Sequence, residues 1–490
     1  MFLGDILVAQ GLVSEADVAE ALERQKLQGG RLGENLIALG KLDAAALEAV
    51  VHGAPTSPKT LADTGLSIAD MLNLIAKTLY SVSVETPSAM SEALKLPPSV
   101  IKLLLEQAKD RKLLEVLGAT GASAASELRY ALTEKGKQWA TDAFGQNQYV
   151  GPAPVSLKAY SERILRQRIT NERVARTAID AAFSSMVISE RFVQQLGPAV
   201  NSGRSILLYG PPGNGKTTVA EKVGSIFNDV IYVPYCFEVE GQIIKVYDPS
   251  IHQAVLSKSE ASSRGTLMRR EDLDRRWVPC RRPFIVTGGE LTMEMLDLSF
   301  NSLAKFYEAP LHIKALGGIF TIDDFGRQII SPEALLNRWI VPLESRVEYL
   351  KLHTGKSFAI PFDELVIFST NLAPSDLMDP AFLRRIPYKL EVTGPTRDEY
   401  RKIFRAVSKA SGFDASEEII DYVVRELREN NDFPLASFQP KFIIDQVKAS
   451  CKFEGIPGQF RPEFISMALS NLYTKDSPGF GVRPQRSSTH

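Results

Sequence analysis

Cysteine is scarce in this sequence, with 3 residues in 490. Cys236, Cys280 and Cys451 lie far apart, without the close pairs of a zinc site or the regular spacing of a disulfide framework. We therefore expect structural thiols in a reducing compartment. Long apolar runs are also absent, since no stretch reaches the roughly 18 residues of a membrane-spanning helix. The N-terminus begins in a helical pattern without the basic segment and cleavage site of a secretory signal, which predicts a cytoplasmic protein.

The sequence also lacks an excess of either charge, because 57 basic residues against 58 acidic ones leave a net charge of −1. This balance gives no overall attraction to nucleic acid or to an anionic membrane, so any basic surface must be local. Apolar residues make up 44% and charged residues 23% of the chain, which is ordinary globular composition. A chain of 490 residues favours about three domains.

The most specific chemical pattern is the loop 210–217, Gly-Pro-Pro-Gly-Asn-Gly-Lys-Thr. Residues 205–209 ahead of it predict a buried strand, and residues 218–227 behind it have the apolar spacing of a helix. In that context backbone N–H groups surround a β-phosphate, Lys216 reaches the β/γ oxygens and Thr217 ligates Mg²⁺. We therefore expect ATP and Mg²⁺ as cofactors. The predicted nucleotide-binding residues are Gly210, Pro211, Pro212, Gly213, Asn214, Gly215, Lys216, Thr217 and Thr218.

Two further strand patterns end in polar residues that suit the same site. One apolar run, 318–322, ends in Asp323 and Asp324, and a second run ends in Asn371. We expect Asp323 to hold Mg²⁺ together with the loop threonine. Asp324 is expected to polarise the attacking water, with Asn371 orienting the same water from the opposite side.

The order of these motifs resembles that of the AAA+ ATPases, over about residues 160–475. After Asn371, the segment Asp-Pro-Ala-Phe-Leu-Arg-Arg at 379–385 is similar to the one that supplies arginine fingers in that family. The resemblance implies that Arg384 and Arg385 act on a neighbouring subunit, and therefore that the protein is a homo-oligomer in the form of a hexameric ring. It also implies ATPase activity. The catalytic residues that it assigns are Lys216, Asp323, Asp324, Asn371, Arg384 and Arg385.

Further details refine this resemblance. The family usually has a glutamate at position 324, so the shorter aspartate predicts either a closer loop or slow hydrolysis. Residues 347–352 and 357–361 alternate around a His-Thr-Gly-Lys turn, which predicts a hairpin. A hairpin at this place is similar to the clade of MoxR-type chaperones and enhancer-binding activators. Helical patterns after Pro395 resemble the AAA+ lid, with Lys441 near the sensor-2 position.

A long gap between Thr217 and Asp323 predicts an insertion that is rich in arginine around Trp277. The arginines are Arg264, Arg269, Arg270, Arg275, Arg276, Arg281 and Arg282. One interpretation is a surface that faces a ring pore or a partner. The alternative is a solvated helix with ordinary i,i+4 charge pairs.

Residues 1–54 contain a repeat, because the pattern Leu-Gly-x-x-Leu at 3–7 recurs at 32–36, which predicts two similar helical units. The pattern resembles the N-terminal domain of type II secretion and type IV pilus ATPases, which includes cyclic di-GMP receptors. Phe2 and Ala54 replace two family positions, so a docking module without a ligand is the alternative. The resemblance implies that cyclic di-GMP contacts Leu3, Gly4, Leu7, Leu22, Gln25, Arg31, Leu32, Gly33 and Leu36.

Residues 62–146 predict three helices, a two-stranded wing and a last helix, the pattern of a winged-helix domain. The phrase 130–136 is similar to the wing-to-helix turn of bacterial winged-helix regulators. Glu106 and Asp110 interrupt the lysines of the expected recognition helix, so protein docking is favoured over DNA binding.

Together these patterns predict a multidomain α/β protein in which a small all-α repeat domain and a winged helix precede a P-loop AAA+ α/β domain with a helical lid. We expect an ATP-hydrolysing ring that remodels an unknown protein client under the control of cyclic di-GMP. The alternatives are an ATP-driven winged-helix transcription regulator and a pilus- or secretion-associated ATPase. Linkers are expected at 53–63 and 145–154. The predicted segments are 1–54 (repeat domain), 62–146 (winged helix), 157–394 (ATPase domain), 395–475 (lid) and 476–490 (disordered tail).

Overall fold

The structure, a computed structural model, describes residues 7–8, 12–28, 32–44, 46–47, 53–120, 126–255, 273–377, 380–430 and 432–472. Within these ranges no helix is long and apolar enough to cross a membrane. Short 3₁₀ and π turns lie at Ala62–Thr64, Ile169–Asn171, Glu294–Leu296 and Glu426–Asn430.

The N-terminal segment contains helices α1, Glu15–Gln28, and α2, Leu32–Ala38. A reciprocal cap starts α1, since the Asp17 N–H donates to Ser14 Oγ at 3.2 Å and the Ser14 N–H donates to the Asp17 carboxylate at 2.9 Å. The buried core of the segment consists of Leu7, Val13, Ala21, Leu36 and Leu42.

The next segment has its helices and strands where the sequence predicts them. Thr133 caps the last helix by accepting from the Gly136 N–H at 3.1 Å. The two strands pair antiparallel, with Leu114 opposite Leu132. The elements are α3 (Ile68–Val82), α4 (Pro87–Leu94), α5 (Pro98–Asp110), β1 (Leu114–Ala119), β2 (Leu128–Leu132) and α6 (Glu134–Gln146).

The remainder of the described chain is a mixed α/β structure. Its strands are β3 (Val155–Ser156), β4 (Ile206–Tyr209), β5 (Val230–Pro234), β6 (Cys236–Val239), β7 (Gln242–Lys245), β8 (Trp277–Arg281), β9 (Phe284–Thr287), β10 (Ser299–Asn301), β11 (Phe306–Glu308), β12 (Ile319–Ile322), β13 (Val347–Lys351), β14 (Ser357–Pro361), β15 (Leu365–Thr370) and β16 (Tyr388–Glu391). Its helices are α7 (Leu157–Arg166), α8 (Arg176–Ala182), α9 (Glu190–Ser202), α10 (Lys216–Gly224), α11 (Leu311–Lys314), α12 (Pro332–Arg338), α13 (Ile340–Ser345), α14 (Pro374–Leu377), α15 (Pro380–Arg385), α16 (Arg397–Ala410), α17 (Glu417–Arg425), α18 (Gln439–Phe453) and α19 (Pro462–Leu472).

The central sheet has the strand order β16-β4-β15-β12-β9, and all neighbouring strands are parallel. β12 and β15 are buried along their whole length, which explains their continuous apolar sequences. The carboxyl ends of parallel strands meet at one edge of a sheet, where ligands of open α/β folds bind. The loop 210–215 and the polar residues after β12 and β15 lie at that edge.

A second sheet has the order β10-β11-β7-β6-β3; four of its strands lie in the predicted insertion, and β3 comes from residues ahead of the loop 210–217. For the described part of the arginine-rich stretch, the helix interpretation is wrong, and the surface interpretation is wrong at Arg276 and Arg282, which are buried. Trp277 lies in β8 and is buried in the core beside this sheet. Arg276 is buried and paired with Asp274 at 2.9 Å, and Arg282 is buried and paired with Asp229 at 2.6 Å.

Of the other arginines, Arg275 pairs with Glu92 on α4, and Arg281 is exposed. Arg264, Arg269 and Arg270 lie outside the described residues. A strand forms here, and its residues Trp277, Val278 and Cys280 supply apolar side chains to the core. Both interpretations rested on the arginines and left these apolar side chains out of account.

The two predicted linkers are packed segments. In the first, the Arg163 guanidinium donates to the Gly53 carbonyl at 2.7 Å, and the Asp274 N–H donates to the Pro55 carbonyl at 2.8 Å. In the second, Tyr149 is buried and its hydroxyl donates to a backbone carbonyl at 2.8 Å. Its neighbour Gln148 donates its N–H to the Ala304 carbonyl at 2.8 Å.

The hairpin and the lid agree with the predictions. β13 and β14 pair antiparallel with Val347 opposite Pro361, so the predicted hairpin is confirmed. Helices α16–α19 share one apolar core. A capping box starts α16, because the Thr396 N–H donates to Glu399 at 2.8 Å and the Glu399 N–H donates to Thr396 Oγ1 at 3.3 Å.

Candidate functional site

The loop between β4 and α10 has the backbone of a phosphate-binding turn. Gly210, Gly213 and Gly215 have φ values of 138°, 77° and 82°, which side chains other than glycine rarely adopt. A Cβ at Gly210 would lie 2.4 Å from the Val392 carbonyl oxygen, so the close approach of this segment also requires glycine. The loop leads directly into the N-terminus of α10, where backbone N–H groups favour an anion.

Lys216 is the first residue of α10 and is buried against its own loop. Its ammonium group donates to the carbonyls of Gly210 at 2.9 Å and Pro211 at 3.1 Å, and to the side-chain oxygen of Asn371 at 2.7 Å. Burial lowers the pKa of Lys216 below its ordinary value, while the nearby aspartates after β12 act in the opposite direction. The lysine is therefore held as a hydrogen-bond donor inside the loop.

The strands next to β4 bring the predicted carboxylates and amide to this loop. The Thr217 hydroxyl donates to the Asp323 carboxylate at 2.7 Å. The amide nitrogen of Asn371 donates to the Asp324 carboxylate at 2.9 Å. Since the oxygen of the same amide accepts from Lys216, Asn371 joins the loop lysine to Asp324. These five residues thus form two adjacent hydrogen-bonded groups.

The two arginines at the end of α15 differ in their surroundings. Arg385 donates to the Glu344 carboxylate at 2.7 Å, which ties α15 to α13. Arg384 is exposed and has no ion pair with the described part of the chain. Of these two arginines, Arg384 is the one whose guanidinium group makes no ion pair within the described residues and is available to a partner.

A cavity of about 420 Å³ lies beside the loop, between α9, the start of α10 and the lid. Its polar contributors include Asn214, Thr218 and Glu399. Its volume falls in the range of small-molecule sites, about 300–1,000 Å³. The apolar side chains that line it include Met186, Val187, Ile188, Phe192, Val219, Ile403, Val407 and Phe438.

The lid contributes residues that the sequence patterns do not single out. The Ser437 N–H donates to Asn214 Oδ1 at 3.1 Å, and the Phe438 N–H donates to the Gly213 carbonyl at 3.0 Å. Lys441, which the resemblance places near sensor 2, is exposed one turn further along α18. Every residue except proline has a backbone N–H group, so these donors cannot be recognised from the sequence. The one sequence signal for this contact is the polar Asn214 inside a glycine-rich loop.

The residues assigned to cyclic di-GMP are divided between core and surface. Leu7 and Leu36 are completely buried, and Leu32 packs against the same core. A Cβ at Gly33 would lie 2.7 Å from Leu47, so this glycine serves helix packing. Leu22 is exposed and Gln25 is half-buried, whereas Leu3, Gly4 and Arg31 lie outside the described residues. Cyclic di-GMP binding stays a prediction of the sequence resemblance.

The family model of a domain of unknown function (DUF8689) matches residues 396–471. This range coincides with helices α16–α19 of the lid. A vesicle-fusing ATPase of Caenorhabditis elegans is 47% identical over 193 residues, which cover 36% of this chain and 22% of the relative. The vesicular-fusion protein sec18 of Schizosaccharomyces pombe is 45% identical over 47 residues, or 10% of this chain and 6% of the relative. The chain thus spans less than a quarter of the length of these relatives.

Among solved structures, the RuvB Holliday junction branch migration motor of Thermotoga maritima is similar with a TM-score of 0.32 and 16% identity, over 58% of this chain and 70% of that chain. Domain III of the replication initiation protein DnaA of the same organism has a TM-score of 0.32 and 12% identity, over 60% of this chain and 96% of that chain. Scores of this size add nothing to the fold described above. The sequence similarity to vesicle-fusing ATPases is consistent with the AAA+ resemblance of the loop 210–217 and its partners.

Proposed function

We propose that this chain binds ATP with Mg²⁺ at its glycine-rich loop and hydrolyses it. The observation that carries the proposal is the pair of hydrogen-bonded groups at the edge of the central sheet. Lys216, Asn371 and Asp324 form one group, and Thr217 with Asp323 forms the other. They combine a phosphate-binding cation, a water-orienting carboxylate and a metal-binding pair.

The residues present fit this nucleotide. The Thr217 hydroxyl and the Asp323 carboxylate are the hard oxygen ligands that Mg²⁺ prefers. The positive φ values of Gly213 and Gly215 let the loop curve around a phosphate, as other residues do not. The adjoining cavity of about 420 Å³ has apolar walls that suit a flat purine base.

Each side chain then has a separate task. Bound Mg²⁺ supplies positive charge that neutralises the phosphate oxygens. Thr217 and Asp323 hold that cation, and Lys216 donates to phosphate oxygens in place of the loop carbonyls. Asp324 accepts a hydrogen bond from the attacking water and aims it, because Asn371 fixes the position of the carboxylate.

We further propose that the ATPase is a chaperone-like homo-oligomeric ring that remodels a protein client. The 47% identity to a vesicle-fusing ATPase over 193 residues supports this class of motor. Exposed Arg384 supports an oligomer, since a free guanidinium at the surface is suited to a neighbour's γ-phosphate. DNA binding through α5 is less favoured, because Glu106 and Asp110 are exposed on that helix.

Two variants of the full chain test the ATPase activity. Lys216→Ala is expected to abolish ATP binding, because it removes the cation that pairs with the phosphates. Asp324→Asn is expected to keep binding and to lower turnover by about 10²- to 10⁴-fold, since it removes the water-orienting carboxylate. Phosphate release and a titration with fluorescent ADP measure the two effects.

Lys409→Ala, which changes an exposed lysine of the lid, is the matched control and should behave as the wild type. Equal rates of phosphate release in the wild type and in both site variants would contradict the proposed ATPase.

A further inference from the structure

The lid touches the phosphate-binding loop itself through two backbone hydrogen bonds. Ser437 donates to the side chain of Asn214, and Phe438 donates to the carbonyl of Gly213. Both acceptors differ from the N–H groups with which such loops bind phosphate. The lid contact and a bound phosphate therefore use different atoms of the same two loop residues.

Close packing reinforces these bonds. A Cβ on Gly213 would lie 2.3 Å from the Phe438 ring, so the ring occupies the space beside the glycine. A Cβ on Gly394, at the connection between β16 and the lid, would lie 2.5 Å from the Leu435 carbonyl oxygen. Asn214 is only 6% exposed, so its amide is committed to this interface. Two glycines thus permit the approach of the lid to the loop.

The lid segment that makes these contacts is internally fixed. Gln439, at the start of α18, is completely buried. Its side-chain oxygen accepts from the Ala436 N–H at 2.9 Å, and its amide nitrogen donates to the Pro434 carbonyl at 2.9 Å. Because these bonds stiffen residues 434–438, a displacement of the loop moves α18 instead of being absorbed between them.

We propose that Asn214 and Phe438 form a latch through which a nucleotide in the adjoining cavity sets the orientation of the lid. This inference rests on the proposed nucleotide binding. A phosphate that draws the N–H groups of residues 213 and 214 inward also moves the Gly213 carbonyl and the Asn214 side chain. Asn214 is thus a positioning residue, because it acts on the lid through Ser437 rather than on the reacting atoms.

Hydrogen–deuterium exchange of the full chain, with and without saturating ADP, tests the latch at the amides of Ser437 and Phe438. In the wild type, ADP is expected to slow exchange of these amides by about tenfold or more, since a bound ligand stabilises the contact. In Asn214→Ala the ADP effect is expected to fall below about twofold, because one hydrogen bond typically changes an equilibrium by about tenfold. A separate ADP titration establishes that the variant is saturated.

Further variants make the test specific. Phe438→Ala should also lose the ADP effect, whereas Phe438→Tyr keeps the ring and should retain it. Phe453→Ala, at the exposed far end of α18, is the matched control and should respond as the wild type. An undiminished ADP effect in both Asn214→Ala and Phe438→Ala overturns the latch alone. Failure of the wild type to bind ADP overturns the proposed function and the latch with it.

Discussion

Asp324 shows how a short acidic side chain is placed at the site. Its backbone has a φ of 50°, a left-handed conformation that aspartate tolerates better than most residues. Its carboxylate accepts from the Asn371 amide, and its N–H donates to the Asp323 carboxylate at 3.1 Å. Loop conformation and hydrogen bonds, rather than side-chain length, therefore fix the position of this acid.

Glu364 is a buried acid that the proposed mechanism does not use. It is completely buried, and neither carboxylate oxygen has a hydrogen-bond partner among the described residues. Burial raises the pKa of Glu364 well above its ordinary value, the charge of Glu348 adds to the effect, and Arg346 opposes it. The folded protein therefore keeps a proton on Glu364 at pH values where the unfolded chain has lost it.

This difference predicts a pH-dependent effect of Glu364→Gln. Because the folded state binds the extra proton, the free energy of unfolding of the wild type falls as the pH rises above the ordinary glutamate pKa of about 4.3. The glutamine variant cannot lose a proton at this position, so its free energy of unfolding does not fall in this way. The difference in the free energy of unfolding between the variant and the wild type should therefore grow in favour of the variant by about 1 kcal/mol or more between about pH 5 and pH 8. Urea denaturation at both pH values measures it.

Glu463→Gln, at an exposed position of α19, is the control and should follow the wild type at both pH values. If Glu364→Gln has the same pH dependence as the wild type, Glu364 is ionised in the folded protein and the interpretation is wrong.

At the scale of helices and strands, local signals explain which elements the sequence predicts. Ser67, Thr86 and Thr133 each accept from the N–H three residues on and start α3, α4 and α6. Such caps lie next to the residues that they affect, so they can be predicted from the local sequence. The helices of this segment accordingly occur in the predicted number and order.

The second sheet could not be predicted in the same way. Its strands have two to four residues, too few for a clear alternation. β11 pairs parallel with β7, and their paired residues Lys245 and Glu308 lie 63 positions apart. β8 lies outside this sheet and pairs with β5. Its apolar side chains stand among charged residues in the sequence, among them Arg276 and Arg282, which form buried ion pairs, and these two features account for the wrong helix prediction around Trp277.

Arg276 is expected to be important for stability because it joins three segments. Its guanidinium donates to the carbonyls of Thr64 at 2.9 Å and Pro154 at 3.0 Å, and it pairs with buried Asp274. Arg276→Ala leaves that carboxylate buried without its partner, which typically costs about 3–5 kcal/mol. We expect a lower thermal midpoint and faster proteolysis at residues 53–64.

Arg281→Ala is the matched control, since Arg281 lies in the same strand region and is exposed. It should leave the free energy of unfolding within about 0.5 kcal/mol of the wild type, and the thermal midpoint nearly unchanged. Equal effects of the two substitutions would show that the buried pair does not join these segments.

At the scale of the whole molecule, the site combines parts that the sequence reveals to different degrees. Lys216 and Thr217 belong to one local motif. Asp323 and Asn371 follow apolar strands, and a parallel sheet brings such strand ends to one edge. Ser437 could not be predicted, because it lies 223 positions from Asn214 and acts through its backbone. Folding of the lid onto the sheet creates that contact.

An oligomer with shared sites predicts complementation between two inactive variants. Arg384→Ala is expected to lose about 10³-fold or more in turnover while it keeps ATP binding, as removal of an arginine finger does. Lys216→Ala lacks the binding site but still carries Arg384. Mixing the two should restore part of the activity, because some interfaces then combine an intact loop with an intact arginine.

Arg385→Ala is the comparison for this experiment. Its salt bridge with half-exposed Glu344 is expected to be worth less than about 1 kcal/mol, so most activity should remain. A mixture without activity, or a larger loss in Arg385→Ala than in Arg384→Ala, would contradict the assignment of Arg384.

The packed connections at 53–63 and 145–154 have a mechanical consequence. Flexible linkers would let the segment of α3–α6 rotate independently of the α/β part, so that a movement of one would not be transmitted to the other. Here Arg163, Arg276 and Tyr149 anchor both connections. The exposed face of α5 is therefore held in a fixed orientation to the α/β part, and under the proposed function a displacement of the nucleotide-binding part would rotate that face with it.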